Sequence, residues 1–260
     1  MELVDAHCHF DFPQFDGRRQ AILDELGRLG VGRVVIPGVR RADWSRVTET
    51  AALSRDLYYC LGIHPWFVGE HDERDLEALR SMLAEGQGRC VALGECGLDR
   101  LRGSLQEQLP WFERQVAIAS ELGMPLVVHS VRAHDQVAAV IRRLKPGVPM
   151  LIHGFSGSVE QAKMFASLGC SIGVGGVITH ERARKTRQAV AELPLGLLVL
   201  ETDAPDMSPQ GVEKGMNSPV YLPRILECLA SLRTESVPEL AQALTANART
   251  LFRWDKGCSK

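Results

Sequence analysis

The chain has 260 residues, 45% of them hydrophobic and 24% charged, with 30 Lys and Arg against 32 Asp and Glu for a formal charge of −2. That length is beyond a disulfide-stapled mini-protein and ample for one α/β barrel, and the composition is not that of a disordered chain. The charge balance argues against a surface coated in cations for tight nucleic-acid binding, while leaving room for a local basic patch. No apolar run approaches the roughly 18 residues that a membrane helix needs. The seven scattered cysteines contain no C-x-x-C pair, which reads as reduced thiols of a cytoplasmic protein. Glu2, Asp5 and a polar HCH cluster stand where the apolar core of a signal peptide would begin.

Taken in chain order, short β-branched runs alternate with longer amphipathic stretches. The predicted strands are Leu3–His7, Arg33–Pro37, Tyr58–Ile63, Val91–Gly94, Leu126–His129, Met150–His153, Cys170–Val174 and Leu197–Glu201. Leu105, Leu109, Phe112, Val116, Ala119 and Leu122 form a helical stripe, with Pro110 predicted to start or bend that helix. Ser158 with Gln161 and Ser236 with Glu239 predict capping boxes, the second with Pro238 in its first turn. Eight strand-then-helix units in this length predict an α/β (β/α)₈ TIM barrel of residues 1–260, with 255–260 as a frayed tail. The rival, an open doubly wound sheet, lacks its G-x-G-x-x-G fingerprint.

Several strands end in residues that bind metal or move protons: His7 and His9, His64, Glu95, His129, His153 and Asp203. In a barrel the C-terminal strand ends converge on one face. His7 and His9 are two apart, so strand alternation is expected to point both toward the axis. A single His at a strand end is more often a hydrogen-bonded structural residue than a ligand; the coincidence across separate strands shifts that balance. Apart from His64, these are four His and two carboxylates, with no thiolate, a set that suits borderline-to-hard divalent ions. Six ligands exceed the three or four of one catalytic zinc and match two ions sharing a carboxylate. Asp5 is expected to accept hydrogen bonds behind the ligands, and Cys8 and Cys96 to face the helix layer. His71, His134 and His180 are expected at the surface. Arg182, Arg184, Lys185 and Arg187 lie on the site's side of the barrel, either tracking a phosphate backbone or forming a solvated helix face. Trp66 and Phe67 either stack on a base or pack over the rim.

HCHFDFPQF, GIHP, GECGLD, VVHS, HGFSGS, GVGG and LVLETDAP occur in the order seen in the TatD family of metal-dependent hydrolases, and the chain most resembles its YjjV-like branch, from about Leu3 to about Trp254. The resemblance implies a (β/α)₈ barrel holding two divalent cations (Mg²⁺, Mn²⁺ or Zn²⁺) and hydrolysing phosphodiester bonds of nucleic acid, mainly DNA, with no obligate protein partner and no membrane. It implies His7, His9, Glu95 and Asp203 around one ion and Glu95, His129 and His153 around the other, with Glu95 bridging. His64 would contact the scissile phosphate, and Asp203 would orient or deprotonate the attacking water. The family's H-x-R after the fifth strand is Val131 here, followed by Arg132. Two other readings stand beside it: a C–N or ester bond hydrolase on the same barrel, and a non-catalytic nucleic-acid-binding protein with a retained metal site.

Overall fold

The computed structural model describes residues 2–86 and 88–254, so the expected tail at 255–260 lies outside the described residues. Eight parallel strands form one sheet in sequence order: β1 Leu3–Asp5, β2 Val31–Pro37, β3 Leu57–Leu61, β4 Cys90–Asp99, β5 Leu126–Val131, β6 Met150–Ile152, β7 Cys170–Val174 and β8 Leu198–Leu200. The ring is closed just beyond β1, where Ala6 N donates to Leu200 O at 3.0 Å and Asp203 N to His7 O at 2.8 Å. The helices that follow are α1 Arg19–Leu29, α2 Trp44–Ala51, α3 Glu73–Glu85, α4 Leu105–Leu122, α5 His134–Leu144, α6 Val159–Ser167, α7 Arg184–Glu192, α8 Leu222–Ala230 and α9 Val237–Leu251. This is a (β/α)₈ TIM barrel.

Two apolar layers follow from strand alternation. Val4, Val35, Cys60, Ala92, Val127, Leu151 and Val199 fill the barrel interior, closed from below by Ala248, Leu251 and Phe252 at the end of α9. Their neighbours Leu3, Val34, Ile36, Leu126, Val128, Ile152, Ile172 and Leu198 face outward into the helix layer, together with Phe112, Val116 and Ala119 of α4. Pro110 lies inside α4, which begins at Leu105 behind the N-cap Ser104. Both predicted capping boxes form, at Ser158–Gln161 and at Ser236–Glu239. Among the described residues six cysteines are free and no helix is long and apolar enough to cross a membrane.

The interior is apolar at its base and polar at its top because the strands run out at different heights. β1, β3, β6 and β8 end before His7, His64, His153 and Asp203, which therefore sit on the loops that leave them. β4 and β5 are the exceptions: β4 continues through Glu95 to Asp99, and β5 through His129 to Val131. The register of β4 against β5 shifts between Leu93 and Cys96. The extra residue of such a bulge re-aims a side chain, and Glu95 lies within it.

A candidate metal centre at the barrel mouth

Glu95 is the hub. It is 2% exposed, and its two carboxylate oxygens face different histidines. Oε2 lies 3.3 Å from His7 Nε2 and 3.4 Å from His9 Nε2. Oε1 lies 2.8 Å from His153 Nε2, 2.9 Å from His129 Nδ1 and 3.2 Å from His64 Nε2. Asp203 Oδ1 joins the first group, 3.4 Å from His7 Nε2 and 3.6 Å from His9 Nε2. Two atoms each about 2.1 Å from one tetrahedral cation stand ~3.4 Å apart, which is the spacing of the first group. His7 Nε2 and Glu95 Oε2 are buried with no hydrogen-bond partner. Buried polar atoms left in this state are costly unless something else satisfies them. The groups His7–His9–Glu95, His7–His153–Asp203 and His64–Glu95–His129 each bring their ligand atoms within 4.8 Å of one another. The donor set of imidazoles and carboxylates therefore fits divalent cations, and all seven predicted site residues meet at one place.

The backbone shows why these residues converge. A Cβ on Gly62 would lie 2.7 Å from Glu95 O, and one on Gly94, whose φ is 155°, would lie 2.7 Å from Val127 O. The strands flanking Glu95 approach this closely only through glycine. His7 and His9 converge for a different reason from the one predicted. Val4 and Ala6 face the interior while Cys8 faces the helix layer, so the alternation changes phase once β1 ends at Asp5. The turn is held by Asp5, fully buried, which accepts from His7 N at 3.3 Å, Thr202 N at 2.9 Å and Thr202 Oγ1 at 2.6 Å. It is the supporting acceptor that the sequence suggested. Asp203 itself has a φ of 54°, a left-handed conformation that Asp tolerates better than most residues.

Burial and neighbours set the charges. Desolvation, then His153, holds His7 well below the ordinary imidazole value, and desolvation takes His9 down to about 4. Both imidazoles are thus neutral at physiological pH. Burial resists the Glu95 charge, but the surrounding imidazoles, His153 first, win and hold its carboxyl well below the usual range. Burial also opposes a charge on His129, yet Asp99 and Glu95 on its two ring nitrogens lift it to about 9. Asp203 is pushed well above the usual range by burial and then by Glu95.

Some residues of the site were not anticipated. Asp99 Oδ2 lies 3.1 Å from His129 Nε2 and accepts from the Trp66 indole at 2.6 Å. Trp66 is otherwise 47% exposed, with the Arg102 guanidinium 4.6 Å above its ring. The signal for Asp99 was present: it follows Glu95 by four residues on one strand, a spacing that shares a face. Glu201 is fully buried below the site, its carboxylate occupying the space where Gly173 lacks a side chain and accepting from Gly154 N. His134 is a correction. It was expected at the surface but is buried, with Nδ1 2.6 Å from Ser130 Oγ and Nε2 3.2 Å from Ser156 O; the loop after β6 folds over it. Arg187 also departs from the expected basic cluster, since its guanidinium turns in to donate to Ile178 O at 2.5 Å.

These side chains open onto a cavity of about 450 Å³. Its walls carry His9, His64, Glu95, His129, His153 and Asp203 below, and Phe12, Val39, Trp66, Phe67, Val131, Val177 and Met207 around them. Val131 is on the wall; Arg132 is exposed and is not.

A family model described as TatD related DNase matches residues 4–253. The uncharacterized metal-dependent hydrolase YjjV of Escherichia coli K12 is 41% identical over 251 residues, covering 96% of this chain and 97% of that protein. The 3'-5' ssDNA/RNA exonuclease TatD of Pantoea ananatis is 35% identical over 262 residues, covering 96% of this chain and 99% of that one. The crystal structure of E. coli YjjV superposes with a TM-score of 0.92 at 41% identity, covering 96% of this chain and 98% of that structure.

Proposed function

The chain belongs to the TatD-related family of metal-dependent hydrolases, and from that membership we propose that it hydrolyses phosphodiester bonds of nucleic acid, DNA first, through two divalent cations (Mg²⁺, Mn²⁺ or Zn²⁺) bridged by Glu95. The observation that carries this reading is the division of the Glu95 oxygens between His7 and His9 on one side and His129 and His153 on the other. In it, His7, His9, Glu95 and Asp203 would hold one cation, and Glu95, His129 and His153 the other. Such a pair supplies Lewis acidity that acidifies water and offsets phosphate charge. The ligands are mostly neutral imidazoles, so they leave that positive charge available to an anionic substrate. Asp203, beside His7 and His9 at the cavity floor, would take the proton of the attacking water. His64, on the cavity wall, would donate to the phosphoryl oxygens through Nε2, which lies 3.2 Å from Glu95 Oε1.

Cleavage of end-labelled single-stranded DNA in Mg²⁺ or Mn²⁺, with and without excess EDTA, tests the proposal. Loss of cleavage on chelation and its return with added metal are expected. Undiminished cleavage in EDTA, or in a folded Glu95→Ala or Asp203→Asn protein, would end it.

The apolar upper wall supports a second reading, hydrolysis of a C–N or ester bond in a small uncharged substrate. Two-metal barrels of that kind commonly bridge their ions with a carboxylated lysine; among the described residues no Lys lines this cavity. Comparing turnover of amides, lactones and phosphodiesters separates the two.

A further inference from the structure

A nucleic-acid strand brings one negative charge per nucleotide, and most of its affinity comes from Lys and Arg set against those phosphates. The cavity over Glu95 has neither residue on its wall among the described residues. The cations are next door. A second cleft, of about 880 Å³, lies between the loop from β6 to α6 and the loop from β7 to α7. Arg182, Arg184 and Lys185 line it against a single carboxylate on the same wall, Asp135. All three cations are exposed, and none forms an ion pair or side-chain hydrogen bond among the described residues; Glu160 acts on Lys185 only through space. The floor is fixed by the buried Thr186, whose hydroxyl donates from α7 to Gly157 O on the loop after β6 at 3.5 Å, and by the inward anchor of Arg187. The amides of Ser158 and Gln161 are taken by the α6 capping box and are not offered to the cleft.

The two cavities share a wall. Ser156 lines both. It follows His153 by three residues, so their Cα atoms are at most ~11 Å apart. Three unpaired like charges on one wall repel each other, and an incoming polyanion relieves that repulsion.

We propose that the Arg182–Arg184–Lys185 cleft is a phosphate-binding subsite that holds the segment of a single nucleic-acid strand flanking the bond to be cleaved. This rests on the phosphodiesterase reading above and adds to it where the substrate's remaining charge is met: on the loop after β7 and the first turn of α7, instead of two residues after the β5 histidine, where Val131 stands.

The test is fluorescence anisotropy of a labelled oligothymidylate with the full chain in excess EDTA, across a salt series. Removing three cations in Arg182→Ala/Arg184→Ala/Lys185→Ala is expected to weaken binding at least about tenfold at low salt. It should also make the slope of log affinity against log salt shallower by about 2, since each phosphate contact on a single strand contributes ~0.7. Arg28→Ala/Arg55→Ala/Arg142→Ala removes the same charge from the opposite end of the barrel and is expected to bind like the parent. Equal binding by the two triple variants, or no binding by the parent, would overturn the proposal. Because binding is read without metal, failure of the hydrolysis reading shows separately, as no turnover of bis(p-nitrophenyl) phosphate by the parent in Mn²⁺.

Discussion

Glu95 and the imidazoles around it determine one another's charge. Its carboxylate stays ionised in a buried place because the surrounding imidazoles outweigh the cost of desolvation. His129 is the extreme partner, lifted to about 9 between Asp99 and Glu95. Below that pH its ring carries an extra proton, and a cation taken at Nδ1 must displace it. Metal binding should therefore release at least one proton near neutral pH, Asp203 adding to the count because burial also holds its carboxyl well above the ordinary range, and apparent affinity should rise with pH until about 9. Titration calorimetry in buffers of different ionisation enthalpy measures both, and a proton count of zero would contradict this account of His129. Asp99 is the group that fixes the other face of the ring. Asp99→Asn keeps an acceptor for Trp66 but removes the charge. Outer partners of this kind commonly control metal affinity by about 10–100-fold. A loss in that range for Mn²⁺ is expected by calorimetry, with a flatter pH dependence; unchanged affinity would make Asp99 merely structural.

At the scale of elements, the site depends on strands that stop or buckle at the right place. The bulge within β4 aims Glu95, and the close approach of β3 depends on Gly62. Adding one methyl at Gly62 drives it into the Glu95 backbone, and overpacking of this kind costs about 1–3 kcal/mol. Gly62→Ala should lower the denaturation midpoint accordingly and weaken metal binding as well. A variant with parental stability and affinity would show that β3 and β4 can separate without disturbing Glu95. The glycines of the GIHP and GECGLD segments are thus explained by backbone contact, which the residue types alone suggest but do not locate. The His7–His9 pair shows the limit of element-level reasoning. Alternation predicted the right destination by a wrong route, because β1 ends before either histidine and the loop resets the phase.

For the whole molecule, the site is at the top and the closure at the bottom. Phe252, 4% exposed, packs with Leu251 and Ala248 under the interior layer. Phe252→Ala should cost about 3–5 kcal/mol in chemical denaturation while leaving metal affinity of the folded protein as it was. A coupled loss of both would mean that the base of the barrel transmits strain to its mouth. The separation matters for the charge distribution too. A formal charge of −2 for the chain conceals a carboxylate-rich centre beside a cleft carrying Arg182, Arg184 and Lys185, and only their positions in the fold make that contrast useful.

The sequence by itself determined the eight-unit barrel and the residues gathered at its mouth. Apolar runs of period two alternating with helical stripes have one economical closure, and polar residues at strand ends can emerge only at the rim. What it left undecided depended on contacts between loops far apart in the chain. The burial of His134 under the loop after β6, the inward turn of Arg187, the Asp99–Trp66 support of His129 and the meeting of two cavities at Ser156 all belong to that class. Local pattern encodes which face a side chain takes within one element. Which loop covers it, and at what distance, is decided only when all eight units close and each loop packs against its neighbours.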